Sequence, residues 1–283
     1  MTTTVSGRAA LAAMSLLLAP LGLAAQTIPA ADAAAGALRP LCTDRPTKST
    51  SPCTVDAGHF QLESDLSNVT VDRGGGQTTT TWLATNPTLK YGLGDRLDVE
   101  VNMAPYVSVV VRDRSSGAQS HADGVGDLFL RAKWAPVGNG GGAVSFTLSP
   151  YIKLPTAPAG IGNGAVEGGL LAPININLPA SFSLVIDPEL DVAKNGGDSG
   201  RHINTSGLLS LSRGLSKTLT ASVEVWTDTD FDPAGSRTQV SGDLGLAFIP
   251  SKASNWQFDG GVNFGLNRET PAAQAYLGVS RRF

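Results

Sequence analysis

The sequence is poor in the residues on which most protein chemistry depends. Its 283 residues include only two cysteines and three histidines. Two cysteines without a nearby histidine pair do not make a tetrahedral metal set. His59 opens an extended segment, and His121 and His202 fall in polar loops. His202 and Ser206 share a strand face but stand too far apart for direct contact, and the chain lacks a nucleophile elbow, a metal-binding histidine pair and a phosphate loop. Catalysis, a metal and a cofactor are therefore not expected. Charged residues make up 16% and the net charge is −3, which argues against nucleic acid as a partner. Beyond the N-terminal region no apolar run reaches the roughly 18 residues of a helical membrane span. Nor does any long segment scan at the helical period.

Residues 1–25 read as a secretory signal. Arg8 supplies the positive start, Ala9 to Leu23 the apolar run broken by Pro20, and Leu23-Ala24-Ala25 a small-residue cleavage site before Gln26. A second cleavage choice lies in Ala30 to Ala37, and a buried N-terminal helix is the competing reading. Residues 26–57 then form a periplasmic N-terminal segment. Its two cysteines, Cys42 and Cys53 in CTDRPTKSTSPC, favour a disulfide in an exported chain, against a pair of free thiols. The bridge closes a short loop and is worth up to about 3 kcal/mol in the chain-entropy model.

From residue 58 to 283 the pattern is period-2 alternation, the signature of strands. Twelve such segments are separated by Gly-, Pro- and Asp-rich connections. The clearest sets Leu97, Val99, Val101 and Met103 against Asp98, Glu100 and Asn102. Leu83, Leu89 and Tyr91 are read as one apolar face of the second segment. The last, AAQAYLGVSRRF, ends on Phe283 and resembles the closing strand of bacterial outer-membrane barrels, whose final aromatic is read by the assembly machinery. Arg281 departs from that pattern, where an apolar residue is usual.

An even strand count and long strands predict an all-β fold, an antiparallel transmembrane β-barrel of about twelve strands with short periplasmic turns and longer outer loops. Trp82, Trp134, Trp256, Tyr91 and Phe283 lie near segment ends, as girdle aromatics do. In a membrane barrel the apolar face meets lipid and the polar face lines the lumen. The expected lumen set is Asp98, Glu100, Asp127, Arg131, Lys133, Lys153, Glu167, Asp187, Glu189, Glu224, Asp243 and Asp259, with Glu63, Asp65, Lys90, Asp191 and Arg282 beside them. Its acidic excess predicts cation preference if the lumen is wet. The segment Leu38 to Ala57 is either a plug, with Asp44, Arg45 and Lys48 pairing to lumen charges, or a periplasmic tail stiffened by the disulfide.

The block TDRPTKSTSPCTVDAGHFQLESDL and the later GVGDLFLRAKW resemble an outer-membrane family labelled for the meta-pathway of phenol degradation and described as transporters. Asp44, Arg45 and Pro46 match its TDRP element. Gly58, His59, Phe60, Gln61 and Glu63 match its opening strand, and Gly126, Asp127, Arg131 and Lys133 its second block. The resemblance implies a barrel that moves small molecules across the outer membrane. The function expected is a passive channel or transporter with an acidic lumen, with the lipid bilayer, the assembly machinery and a small-molecule solute as partners. A non-conducting structural barrel and a secreted soluble β-protein binding a ligand are the alternatives.

Overall fold

A computed structural model describes residues 38–251 and 254–283. The signal segment read over 1–25 lies outside the described residues, as do residues 26–37. The described chain is all-β. Its strands are β1 (Phe60–Asp72), β2 (Gln77–Thr85), β3 (Thr88–Gly94), β4 (Leu97–Asn102), β5 (Tyr106–Asp113), β6 (Gln119–Gly124), β7 (Leu128–Val137), β8 (Val144–Leu154), β9 (Glu167–Leu171), β10 (Ile174–Leu178), β11 (Phe182–Lys194), β12 (Arg201–Gly214), β13 (Leu219–Asp230), β14 (Arg237–Phe248), β15 (Trp256–Gly265) and β16 (Ala273–Arg282). All belong to one antiparallel sheet, and β16 pairs with β1 to close it into a barrel of twelve staves. Closure removes the unpaired edges that an open sheet of this length would carry.

Four staves are built from two strands each: β2 with β3, β4 with β5, β6 with β7, and β9 with β10. The breaks fall at Asn86–Pro87, Met103–Pro105, Val125–Asp127 and Ala172–Pro173. Three of the four breaks contain a proline, which has no N–H for the ladder; the break at Val125–Asp127 has none. Three of the breaks sit side by side. Asn102 Nδ2 spans the first two, donating to Asn86 Oδ1, Pro87 O and Thr88 Oγ1 at 3.0 Å each. Gly126 N donates to Ala104 O at 2.8 Å across the second and third.

The breaks change which residues face inward, and here the sequence reading needs correction. Lys90 and Glu100 pair below the break on the lumen side, whereas above it Asn68, Leu83 and Val107 are the facing positions. Leu83 therefore points into the lumen and not, with Leu89 and Tyr91, to the outside. The extra residues at the break shift the alternation by one, which flips every side chain beyond it. His121 and His202, read as loop residues, lie on β6 and β12. Strand β6 pairs only with β5, and its inner face is covered by the loop after β8: a Cβ at Gly124 would stand 2.6 Å from Pro158 Cγ.

Burial is the reverse of a soluble protein. The most enclosed long side chains are polar or charged, Lys133 at 1% exposure and Glu224 at 2%, while Leu277 is 65% and Leu266 61% exposed. A soluble sandwich presses its apolar faces together. Here the leucines and valines form the outer surface and the ionic residues the interior, the arrangement of a barrel bathed in lipid. The outward-facing aromatics Trp134, Trp256, Phe60 and Phe283, all exposed, form a rim at the end where the chain finishes.

Candidate functional site: the lumen and the segment within it

Residues 41–56 run inside the barrel. Their sequence, rich in proline, serine and threonine, offers few apolar groups to bury, so the segment is held through polar contacts instead. At its entrance Asp56 accepts from Arg39 Nε and from Arg282 Nη1, both at 2.6 Å. The Cys42–Cys53 disulfide joins the two limbs, with Cα atoms 6.5 Å apart. Gln61 Nε2 donates to Cys42 O at 2.8 Å.

Three charged residues anchor the segment. Asp44 binds Lys133 Nζ at 2.8 Å through both carboxylate oxygens and also pairs with Lys90. Burial opposes its charge, but Lys133 and Lys90 outweigh burial and hold the carboxyl far below the usual carboxylate range. Lys90 in turn meets Glu63 at 2.7 Å, and Lys133 meets Glu100 at 3.3 Å. Arg45 grips Asp259 at 2.7 Å and Asp65 at 2.5 Å, on opposite sides of the closing seam. Burial opposes its charge too, yet Asp259 and Asp65 raise its pKa. Lys48 lies 3.4 Å from Asp243, donates to Ser241 Oγ at 2.7 Å and sits 4.3 Å over the Trp226 ring. Burial lowers its pKa despite Asp243 and Glu224.

The backbone of the segment is satisfied by wall carboxylates. Lys48 N donates to Glu224, Thr50 N to Asp187 and Val55 N to Asp98, at 3.0, 2.7 and 2.8 Å. Inward-facing glycines make room for it. A Cβ at Gly278 would overlap the Arg45 guanidinium, and one at Gly245 would come within 3.0 Å of Pro46 Cγ. Gln61, Gln257 and Gly278 fall on the polar face in the sequence, but neither glycine and neither of these two neutral donors is in the expected lumen set. An inward glycine opposite TDRP carries no one-dimensional signal.

All twelve of the expected lumen residues point inward, but the segment divides them. Asp98, Lys133, Asp187, Glu224, Asp243 and Asp259 touch it directly. Glu100 and Arg131 pair with one another at 3.2 Å. Lys153 holds Asp127 at 3.1 Å and Glu167 at 2.7 Å. Glu189 accepts from Ser206 Oγ at 3.1 Å, and the neighbouring Asp191 from Tyr151 OH at 2.8 Å. Between the segment and the wall of β10–β15 lies a cavity of about 270 Å³. Apart from Arg45 its lining is uncharged, and it carries the hydroxyls of Ser49, Ser183, Ser210, Ser212 and Thr220.

Outside the lumen, Ser108 Oγ and His121 Nε2 are 3.1 Å apart. Asp123 lies 3.8 Å from His121 Nδ1, beyond hydrogen-bond distance, and both side chains are half exposed. Nothing there fixes the imidazole as a triad requires.

A closed antiparallel barrel, apolar outside and ionic within, is a bacterial outer-membrane barrel. Its fold is similar to that of an outer-membrane channel from Pseudomonas putida F1, at 14% identity and a TM-score of 0.62, covering 84% of this chain and 100% of that one. It is also similar to the transport unit of the autotransporter AIDA-I from Escherichia coli, at 13% identity and 0.53, over 79% and 89% of the two chains. The β domain of the Bordetella autotransporter BrkA gives 13% and 0.51, over 81% and 100%. No protein of curated function matches the sequence. The chain belongs to the family described as "Putative MetA-pathway of phenol degradation", which it matches over residues 43–283.

Proposed function

We propose that this barrel is a passive outer-membrane channel for small solutes, with residues 41–56 as a plug that narrows it. The observation that carries the reading is the chemistry of the seat. The plug is held by ion pairs and polar contacts to groups that water can also satisfy, not by an apolar core. A segment held in this way can shift while exposing little hydrophobic surface, chiefly that of Leu41 and Val55. The cavity of about 270 Å³ beside it supports a solute path along β10–β15. Its hydroxyl lining favours small uncharged solutes, and the family description makes phenol-type aromatics the class to test first.

The acidic excess predicted for the lumen is largely spent on the plug and on wall bases. Reversing Asp98 and Glu100 therefore disturbs the seat before it tunes ion preference. Cation preference, where it exists, rests on Glu189 and Asp191, which unlike Glu100 form no ion pair among the described residues. Phe283 keeps its reading as the assembly signal, and the periplasmic reading of 26–57 narrows to the part before residue 41.

Single-channel recording in planar bilayers tests the proposal. Wild type should show a small conductance, and Asp44→Asn should enlarge it or raise its opening frequency. If neither protein conducts, the barrel is a structural body and the channel reading fails.

A further inference from the structure

The lipid-facing surface is not uniform. Across β13–β16 it sinks into an apolar groove of about 980 Å³, walled by Leu244, Leu246, Phe248, Phe258, Val262 and Leu277. Gly260 and Ala275 lie along it and contribute almost no side chain. The groove exists because these positions are nearly bare on a face otherwise covered by leucine, valine and phenylalanine.

At one end of the same strands Arg281 is turned outward. Its guanidinium stands 4.5 Å from the Trp256 ring centre and 4.4 Å from that of Phe283. The adjacent Arg282 faces inward and pairs with Asp56, whereas Arg281 has no carboxylate partner among the described residues. Trp256 stacks parallel on Phe258, with ring centres 6.1 Å apart and planes at 5°. Phe258 is itself a wall of the groove. An aromatic track thus joins the unpaired cation to the apolar trench. This end carries the shortest connections, Asp95–Arg96 and the turn at 179–181, which places it at the periplasmic interface.

An arginine on a lipid face is costly near the midplane and nearly free at the interface. Flanking rings hold a guanidinium by its faces and leave its N–H edge, whose fork matches phosphate, free to donate. Arg281 and Leu277 are four residues apart, or about 13 Å along a strand at roughly 3.3 Å per residue. We propose that this seam binds one anionic phospholipid of the periplasmic leaflet, with its phosphate on Arg281 and an acyl chain in the groove. The charge of Arg281 selects the anionic headgroup, and the groove selects a molecule that also carries a chain.

The test uses the full-length protein in nanodiscs containing equal phosphatidylglycerol and phosphatidylcholine, read by native mass spectrometry. Wild type should retain one phosphatidylglycerol at activation energies that strip phosphatidylcholine. Arg281→Gln should lower that retention about fivefold, the worth of one arginine at an anionic surface. Ala275→Phe, which fills the groove from an outward-facing position, should lower retention of both lipids. Heat-modifiable migration on gels verifies that each variant is a folded barrel. Equal retention of the two lipids by wild type, or unchanged phosphatidylglycerol retention in either variant, overturns the proposal.

Discussion

Arg45 and Gly278 form a pair that neither residue announces alone. The guanidinium bridges Asp65 on the first stave and Asp259 on the eleventh, and it lies where a side chain at 278 would stand. Removing one partner of a buried ion pair typically costs about 3–5 kcal/mol, because the other partner stays buried and unpaired. Arg45→Gln should therefore unseat the plug, and Gly278→Ala should do the same by steric overlap while both carboxylates remain. Proteolysis of the segment around residue 48 in intact barrels checks this. The two variants should be cleaved alike, and protection equal to wild type in Gly278→Ala would contradict the seat.

Asp44 gives a prediction with a sign. Its carboxyl is depressed in the seated plug, so its contribution is full above the free carboxylate value of about 4 and is lost only as pH falls toward the depressed value. The difference in plug occupancy between wild type and Asp44→Asn should then stay constant from pH 7 to pH 5 and shrink only below about pH 4. Conductance measured over that range reads it. A difference that vanishes by pH 5 would show that Asp44 is not held by Lys90 and Lys133.

The staves were legible in outline because period-2 alternation survives in each of them. β8, β11 and β13 need no context to be read. The broken staves were legible only in part. Pro87, Pro105 and Pro173 are visible in the sequence, but whether a break preserves or flips the alternation depends on how many residues bulge there. Alternation alone therefore puts Leu83 on the outer face, and β6 lies in a polar stretch around His121 that shows no apolar stripe. The plug was legible as a segment too polar and too proline-rich for a strand. Its partners were not, since Lys133 and Asp259 are brought to it only by closure of the sheet.

The three aligned breaks make Asn102 a structural residue. Its amide donates to three acceptors on the neighbouring stave. Asn102→Ala removes the donor of Asn86 Oδ1 and leaves Pro87 O only Met103 N at 3.4 Å, which should cost about 1–3 kcal/mol, the usual range for a polar group losing its partner. Urea unfolding of the barrel in lipid vesicles measures that loss. Asn102→Asp, which keeps the shape but not the donor, should cost at least as much.

At the scale of the molecule, the inside-out distribution of polarity is what decides the class. Leu277 and its outward neighbours make an apolar surface that a soluble protein would not tolerate, and Glu224 and Lys133 lie in an interior that a soluble protein would not build. The secreted soluble alternative fails on that ground. The choice between a channel and a closed body turns instead on how firmly residues 41–56 stay seated.

The plug also imposes an order of assembly. It is synthesised before any stave, yet its carboxylate partners extend from Glu63 through Glu224 and Asp243 to Asp259. Its lock cannot be completed until the last quarter of the chain has been threaded into the wall. Until then the nascent barrel must enclose a loose cationic and anionic tether, and sealing of the seam and quieting of the interior become one late event.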